Sequence, residues 1–281
     1  MFKFNQHLAV IAGAGSLPIE IINYCRSINC KFTVFSLDDG PDELYDYKFR
    51  IGQASQIIKK MHFLNVQNIV MVGQVNRPSF FDFTFDSRTI SFICKAGINA
   101  FTRYSKTGDD FILRLLINEI ENEGFKVIGV DKIISNLFFP TGNFSIYEPT
   151  KEELIDIRLG FYSSKELGKK DIGQAVVVNN GIVIGEEDLN GTDFLIRKFN
   201  YNQSNKHRPI LIKTVKPYQD RRVDLPVIGP TTIDLCIKNG FRGIVVEAGG
   251  TIVHNKEYII KRCNDAKMFL TSIDFKHLEH K

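Results

Sequence analysis

Charged and amide side chains are concentrated in one stretch of the sequence, residues 213–226. Cations there are suited to binding phosphates, and carboxylates are suited to holding a metal ion or activating a water molecule. The candidate binding residues are Lys213, Lys216, Gln219 and Arg222, and the candidate carboxylates are Asp220 and Asp224. The pattern favours chemistry on a phosphorylated substrate, and a solvated charged loop is the alternative that stays open.

A glycine turn, Gly13-Ala-Gly15, follows the first apolar run of the chain and precedes a helical pattern. Backbone N–H groups at the start of a helix attract phosphate, and glycine allows a close approach. As a dinucleotide-binding fingerprint the turn is defective, because Pro18 occupies the third glycine position. A tight turn that merely needs glycine, a phosphate or sugar contact, and nicotinamide binding all remain open.

Further candidates lie where predicted strands end or helices begin. Asn76 and Arg77 follow a predicted strand, at the edge where open α/β sheets bind ligands. Asp109 and Asp110 precede a helix, where they either cap it or contribute to a cation site. Glu247 ends another predicted strand and is a weak signal by itself. Each position is also compatible with a solvated loop or a helix cap.

The composition excludes several classes of protein. The chain has 281 residues, a formal charge of +4, 43% hydrophobic and 24% charged residues, as in globular domains, so disorder is not expected. The basic residues form no long block, which argues against nucleic-acid binding. Five cysteines without C-x-x-C spacing predict reduced thiols in a cytosolic protein. No apolar run reaches about 18 residues, so we expect a soluble protein.

Common catalytic motifs are missing from the sequence. It contains no G-x-x-x-x-G-K-[ST], no G-x-S-x-G and no H-E-x-x-H. Its six histidines form no cluster with each other or with aspartates, which argues against a binuclear metallophosphatase of the His/Asp-rich kind.

The elements that would position these residues follow an α/β pattern. In the first 130 residues, apolar runs alternate with amphipathic helices, which predicts a parallel sheet with helices on both faces. The second half begins with a helix over 151–167 and continues with a hairpin at Asn179-Asn-Gly181 and further strands and helices. We therefore predict an N-terminal Rossmann-like domain over 1–138 and a C-terminal mixed α/β domain over 139–281. The active site is expected in the cleft between them.

Seven short motifs, in order along nearly the whole chain, resemble one family. They are I-A-G-A-G-S-L-P (11–18), G-Q-V-N-R-P (73–78), G-D-D-x-x-L-R (108–114), D-I-G-Q (171–174), E-x-x-x-G-T-D (187–193), K-x-x-K-P-x-Q-D-x-R-x-D-L-P-x-I-G-x-x-T-I (213–233) and G-x-x-G-I-x-x-E-A-G (240–249). The family is LpxI, the UDP-2,3-diacylglucosamine hydrolases of lipid A biosynthesis that lack calcineurin-like metal motifs. Each motif is weak alone, and their order makes the resemblance specific.

The resemblance implies Mg²⁺-dependent hydrolysis of the pyrophosphate of UDP-2,3-diacylglucosamine to UMP and 2,3-diacylglucosamine 1-phosphate. It implies that Asp224 carries catalysis, by activating water or by holding Mg²⁺ together with Asp220. Lys213, Lys216 and Arg222 would hold the phosphates, and Gln219 and Asp220 would complete the polar shell. The further residues implied in substrate contact are Gly13, Gly15, Asn76, Arg77, Asp109, Asp110, Thr192, Asp193 and Glu247.

The implied substrate is a membrane lipid, so the resemblance also implies peripheral association with the cytoplasmic face of the inner membrane. A homodimer is compatible with this expectation, and a nucleic-acid partner is not expected. Two other functions stay open. One is a nucleotide-sugar or dinucleotide-binding oxidoreductase, supported by Gly13 and Gly15 and opposed by Pro18. The other is a non-catalytic lipid- or RNA-binding module, which would be indifferent to Asp224.

Overall fold

The computed structural model describes residues 6–37, 40, 44–50, 52–75, 87–96, 109–202 and 204–275. The chain divides into two compact units. The first takes in residues 1–135 and 220–224, and the second takes in 136–219 and 225–281. Among the described residues, no helix has both the length and the apolar character needed to span a membrane.

The first unit is built on a five-stranded parallel sheet with the strand order β3-β2-β1-β4-β5. Its strands are β1 (Leu8–Ala12), β2 (Phe32–Leu37), β3 (Tyr47–Phe49), β4 (Asn68–Val72) and β5 (Lys126–Val127), and its helices are α1 (Leu17–Ser27), α2 (Ala54–Phe63), α3 (Ser87–Ala96) and α4 (Asp109–Asn122). The predicted parallel sheet is confirmed.

The two central strands of this sheet are almost fully buried, which explains their unbroken apolar sequences. In β1, Leu8, Ala9 and Val10 have no exposed surface, and in β4 the same holds for Ile69 and Val70. A strand covered by helices on both faces has no solvent side, so polar alternation disappears. Leu8 lies beside Phe32 on one neighbour and beside Asn68 on the other. The chain order changes direction here, so the carboxyl ends of β1 and β4 form the switch point of the sheet.

The second unit is built on a six-stranded mixed sheet with the order β6-β13-β11-β9-β7-β8. Its strands are β6 (Gly142–Asn143), β7 (Ala175–Asn179), β8 (Ile182–Glu186), β9 (Ile210–Lys213), β11 (Gly243–Glu247) and β13 (Phe269–Ile273), beside a parallel pair β10 (Val227–Ile228) and β12 (Ile252–Val253). Its helices are α5 (Lys151–Lys169), α6 (Thr192–Arg197), α7 (Pro230–Lys238) and α8 (Lys256–Asp265). The predicted mixed sheet is confirmed.

Strands β9, β11 and β13 run parallel, and β7 runs antiparallel to β9. The carboxyl ends of the three parallel strands therefore lie at the same edge of the sheet as the amino end of β7. Lys213 ends β9, Glu247 ends β11, and Gln174 directly precedes β7. This edge gathers residues that are far apart in the sequence.

Two local features of the second unit follow from its sequence, and the second of them, the hairpin turn, was predicted. Thr150 caps α5 in a capping box, in which its hydroxyl accepts from the Glu153 N–H and the Glu153 carboxylate accepts from the Thr150 N–H. The turn between β7 and β8 places Asn180 at φ 51° and Gly181 at φ 78°, the left-handed conformations that Asn-Gly accepts.

The structure differs from the sequence prediction at several elements. The predicted helix 192–202 ends at Arg197, and the predicted strand 125–130 is reduced to two residues followed by a 3₁₀ turn from Val130. Strands β3, β6, β10 and β12 and helices α3 and α8 were not predicted. By proximity of the backbone, the first unit ends at Ser135 and also takes in residues 220–224, while the domain bounds 1–138 and 139–281 stay a prediction.

Candidate functional site

The two loops at the switch point of the first unit are joined by a pair of backbone hydrogen bonds. The Ala14 N–H donates to the Gln74 carbonyl at 2.7 Å, and the Gln74 N–H donates to the Ala14 carbonyl at 2.9 Å. A Cβ atom at Gly13 would lie only 2.4 Å from the Gln74 carbonyl oxygen. Glycine at position 13 is therefore required by the contact between the two loops themselves.

At position 15, glycine is needed because of its backbone conformation rather than because of a close contact. Its φ is +103°, a region that side-chain-bearing residues rarely adopt, and a Cβ added there would meet no atom within 4 Å. Pro18 lies in the first turn of α1, where its missing N–H costs no helical hydrogen bond. Gly15 leaves open space before α1, so a contact between substrate and this turn stays a prediction.

The segment 220–224 is held within the first unit by charge and by apolar packing. The Arg222 guanidinium donates to both Asp220 oxygens, at 3.0 Å from Nε to Oδ1 and 2.8 Å from Nη2 to Oδ2. Arg222 also donates to Glu121 on α4 at 2.9 Å, and Val223 packs against the apolar core. The hydrogen bonds from Arg222 lower the pKa of the Asp220 carboxyl, and the Asp220 hydrogen bond raises the pKa of Arg222.

Asp224 differs from Asp220 in having a free carboxylate. Its backbone N–H donates to the Asp220 carbonyl at 3.1 Å, which closes a turn over the segment. Its half-buried carboxylate makes no hydrogen bond or ion pair with any residue that the structure describes. Of the two predicted carboxylates, only Asp224 is thus available to a water molecule or a metal ion without breaking an existing ion pair.

Lys213 is buried at the end of β9, with 6% of its surface exposed. Its ammonium donates to the Thr192 hydroxyl at 2.9 Å and to the Val227 carbonyl at 3.0 Å. Both acceptors are neutral, and within the described parts of the chain Lys213 forms no ion pair with a carboxylate. Two of the residues we predicted separately, Lys213 and Thr192, are brought into contact here.

Glu187 completes this buried group and was not among our candidate residues. One carboxylate oxygen accepts from the Thr192 hydroxyl at 2.5 Å, and the other accepts from the Gln174 N–H at 2.7 Å. Only 8% of its surface is exposed. The sequence signal was its place in E-x-x-x-G-T-D, which alone does not distinguish a buried carboxylate from a solvated loop.

The remaining predicted cation of the second unit, Lys216, is paired directly. Its ammonium lies 2.7 Å from Oδ1 of Asp171, with 13% and 27% of the two side chains exposed. Its backbone N–H donates to the side-chain oxygen of Gln219 at 3.2 Å, and Gln219 approaches Gln174 at 3.5 Å. Lys216 and Gln219 therefore stabilise the 216–219 loop against the loop that precedes β7.

Glu247 is held at the same edge by a residue from α5 that the sequence did not single out. The Lys165 ammonium and the Val215 N–H both donate to Oε2 of Glu247, at 2.7 and 2.8 Å. Lys165 also donates to the Val215 carbonyl at 2.7 Å. These contacts give Glu247 a structural role in holding the chain after β9. No sequence signal connects Lys165, in the middle of a helix, to a residue 82 positions away.

Four predicted residues cannot be placed by their side chains. Asn76 and Arg77 lie outside the described residues. Asp109 and Asp110 begin α4, but only their backbone is described, so their predicted substrate contacts stay predictions.

Asp193 accepts a hydrogen bond from the Thr232 hydroxyl at 3.2 Å, which links the first turns of α6 and α7.

Buried cysteines are excluded as nucleophiles by their environment. Burial raises the pKa of the Cys25 and Cys263 thiols to about 12 and also raises that of Cys236. The thiolate is the reactive form of cysteine, and these thiols remain protonated at neutral pH. All five cysteines are free thiols.

A protein-only metal site is not present in the described part of the chain, where no three His, Cys, Asp or Glu side chains gather around one point. The Asp220 oxygens are occupied by Arg222, a geometry that disfavours Asp220 as the predicted Mg²⁺ ligand. Asp224 fits the ion, since Mg²⁺ is commonly bound by one or two carboxylates and completed by substrate phosphates and water.

Comparisons with known proteins cover nearly the whole chain. The model of the LpxI N-terminal domain matches residues 7–137, and that of the LpxI C-terminal domain matches residues 140–271. The chain is 31% identical over 279 residues to a protein of Caulobacter vibrioides named UDP-2,3-diacylglucosamine pyrophosphatase LpxI. The match covers 96% of this chain and 98% of that protein.

Proposed function

This chain belongs to the LpxI family, and we propose on that premise that it hydrolyses the pyrophosphate bond of UDP-2,3-diacylglucosamine in lipid A biosynthesis. The products would be UMP and 2,3-diacylglucosamine 1-phosphate. The observation that carries the proposal is the end-to-end match, in both domains, to a relative named for this activity. The oxidoreductase alternative is not favoured, because the contact with Gln74 already accounts for Gly13.

Asp224 is the residue we propose for catalysis. Hydrolysis of a phosphoric anhydride needs a positioned water and a group that accepts its proton as the new P–O bond forms. Asp224 supports this role because its carboxylate is free among the described residues, whereas Asp220 is held by Arg222. The turn closed by the Asp224 N–H restrains its backbone.

Lys213 is the cation best suited to the substrate phosphates. Lys216 and Arg222 each form an ion pair with a carboxylate, and binding a phosphate through them would compete with that pair. The ammonium of Lys213 has three N–H donors, of which two are used by neutral acceptors. A phosphate oxygen would accept from the third N–H group and bring a negative charge into direct contact with the ammonium.

Magnesium dependence is part of the proposal. In the alternative role, in which Asp224 does not accept the proton itself, its carboxylate would hold the ion together with phosphate oxygens of the substrate, and the ion would supply charge neutralisation on the pyrophosphate.

We further propose peripheral association with the cytoplasmic face of the inner membrane, because the proposed substrate carries two acyl chains. Four large apolar side chains of the second unit are exposed, and each lies within two residues in the sequence of Gln174, Glu187, Thr192 or Lys216. They are Ile172, Leu189, Phe194 and Tyr218. Their position supports contact with lipid, and a homodimer stays a prediction.

The test is release of UMP from UDP-2,3-diacylglucosamine in detergent micelles, with Mg²⁺ and with excess EDTA. We expect release with the wild type and loss of about 10²–10⁴-fold in rate for Asp224→Asn, the range for removing a general base. Asp265→Asn is the matched control, because Asp265 is an exposed aspartate on α8. Absence of release by the wild type, under conditions where a known hydrolase is active, would overturn the proposal. Full activity of Asp224→Asn would overturn the assignment of Asp224.

A further inference from the structure

Lys213 is unusual among the described lysines of the site because its countercharge is not in contact with it. Lys165 and Lys216 each touch a carboxylate, Glu247 and Asp171, at 2.7 Å. Lys213 is more deeply buried than either, and its described partners are a hydroxyl and a carbonyl. Burying an ammonium without a nearby negative charge is costly, so the surroundings must supply one.

The Thr192 hydroxyl connects Lys213 to that charge in a fixed direction. An ammonium can only donate, so Thr192 Oγ1 accepts from Lys213 and must send its own proton elsewhere. The acceptor is Oε1 of Glu187, at 2.5 Å. The other Glu187 oxygen accepts from the Gln174 N–H, so the carboxylate is held on both sides. The order of donation is therefore Lys213 to Thr192 to Glu187.

This order has a consequence for substrate binding. Glu187 acts through the Thr192 hydroxyl, so its negative charge lies near the Lys213 ammonium without contacting it. No N–H group of Lys213 is therefore taken up by an ion pair with Glu187. One of the three N–H groups of Lys213 has no acceptor among the described residues. We propose that Glu187 is a positioning residue that, through Thr192, holds the Lys213 ammonium in the orientation that binds a phosphate of the substrate. The inference rests on the proposed function and adds to it a residue that does not touch substrate.

The test separates positioning from simple stabilisation by measuring KM and kcat for UMP release. We expect Glu187→Gln and Thr192→Val to raise KM about tenfold, as loss of a hydrogen bond to a charged group does, with a smaller change in kcat. Thr192→Ser keeps the hydroxyl and should restore the wild-type KM. In a Lys213→Met background, Glu187→Gln should no longer change KM, because the residue through which it acts is gone.

Asp156→Asn is the matched control for loss of a buried carboxylate. Asp156 is also 8% exposed and also accepts two hydrogen bonds, from the Asn180 and Gly181 N–H groups, but it has no link to Lys213. It should lower stability and leave KM unchanged. If Glu187→Gln and Thr192→Val behave in the same way, the role of Glu187 is structural and the inference is wrong. An undiminished effect of Glu187→Gln in the Lys213→Met background would overturn it as well.

Calorimetric titration with UDP distinguishes failure of this inference from failure of the proposed function. If the wild type releases no UMP, the proposed function fails, and UDP binding alone then tests the anion site. We expect the wild type to bind UDP and Thr192→Val to bind it about tenfold more weakly. Equal affinity of the two proteins, or no binding by the wild type, would overturn the inference. Thr192→Val and Thr192→Ser also keep the test decisive if Glu187→Gln does not fold.

Discussion

The loop contact at the switch point of the first unit predicts a large difference between two glycines that look equivalent in the sequence. A Cβ at Gly13 would lie 2.4 Å from the Gln74 carbonyl oxygen, whereas contacts below 3.0 Å essentially never occur and ordinary contacts begin at 3.4 Å. The carbonyl would have to retreat by about 0.6–1.0 Å, which follows from those distances. A displacement of that size breaks the 2.7 Å hydrogen bond from Ala14 and strains its reciprocal bond.

The expected cost of Gly13→Ala follows from these two losses. The broken hydrogen bond at about 1 kcal/mol, together with about 1–3 kcal/mol of overpacking, gives a destabilisation of about 3 kcal/mol, to which the strained second bond adds. Gly15→Ala meets no atom and carries only the conformational cost of a positive φ, about 1–2 kcal/mol. Gly15→Ala is therefore the matched control, two residues away and free of the contact.

Urea unfolding measures the loss of unfolding free energy in both variants. Circular dichroism is the probe, because the chain has no tryptophan whose fluorescence could be followed. Hydrogen exchange adds a local readout, because Gly13→Ala should remove protection at the Ala14 and Gln74 amides while the interior of β1 stays protected. Equal destabilisation by the two variants would refute the reasoning. Retained protection at both amides in Gly13→Ala would refute it too.

Two further predictions concern the ion pairs of the site. A double-mutant cycle of Lys165→Met and Glu247→Gln should give a coupling of about 1–2 kcal/mol in the free energy of unfolding, since the pair is three-quarters or more buried; additive effects would contradict the role given to Glu247. The lowered pKa of Asp220 means that its contribution to stability is complete above about pH 4 and is lost as pH falls through the folded-state value. Asp220→Asn should flatten this acid dependence in urea midpoints measured from pH 2 to 6, and an unchanged slope would show that Arg222 does not stabilise the charged form.

The fold was largely predictable because its signals are local. Buried parallel strands read as unbroken apolar runs, and the cap at Thr150 and the turn at Asn180-Gly181 depend on residues within three positions of each other. Strand β3, with only three residues, gave no pattern to detect. Short elements form because neighbours stabilise them, and such neighbours are not visible in a local window.

The residues of the candidate site could be predicted from the sequence, but the contacts between them could not. Lys213 and Thr192 were each predicted as site residues, but no local pattern joins them or singles out Glu187. Their contacts arise because β9 and β7 are antiparallel neighbours, which brings the end of one strand beside the start of the other. Contact between Glu247 and substrate stays a prediction, and what the sequence could not show is that Oε2 of Glu247 accepts hydrogen bonds from Lys165 on α5 and from the Val215 N–H.

The charged stretch 213–226 is continuous in the sequence, but its parts belong to different units of the structure. Its first part belongs to the second unit, where Lys216 pairs with Asp171, and its residues 220–224 belong to the first. The reason is an apolar residue inside the stretch, Val223, which packs in the first unit's core while Arg222 pairs with Glu121 on α4. Val223 is half-buried, so its packing contributes less than the about 1.5–3 kcal/mol of a fully buried side chain, and it acts together with the Arg222–Glu121 pair to hold Asp224 in the first unit.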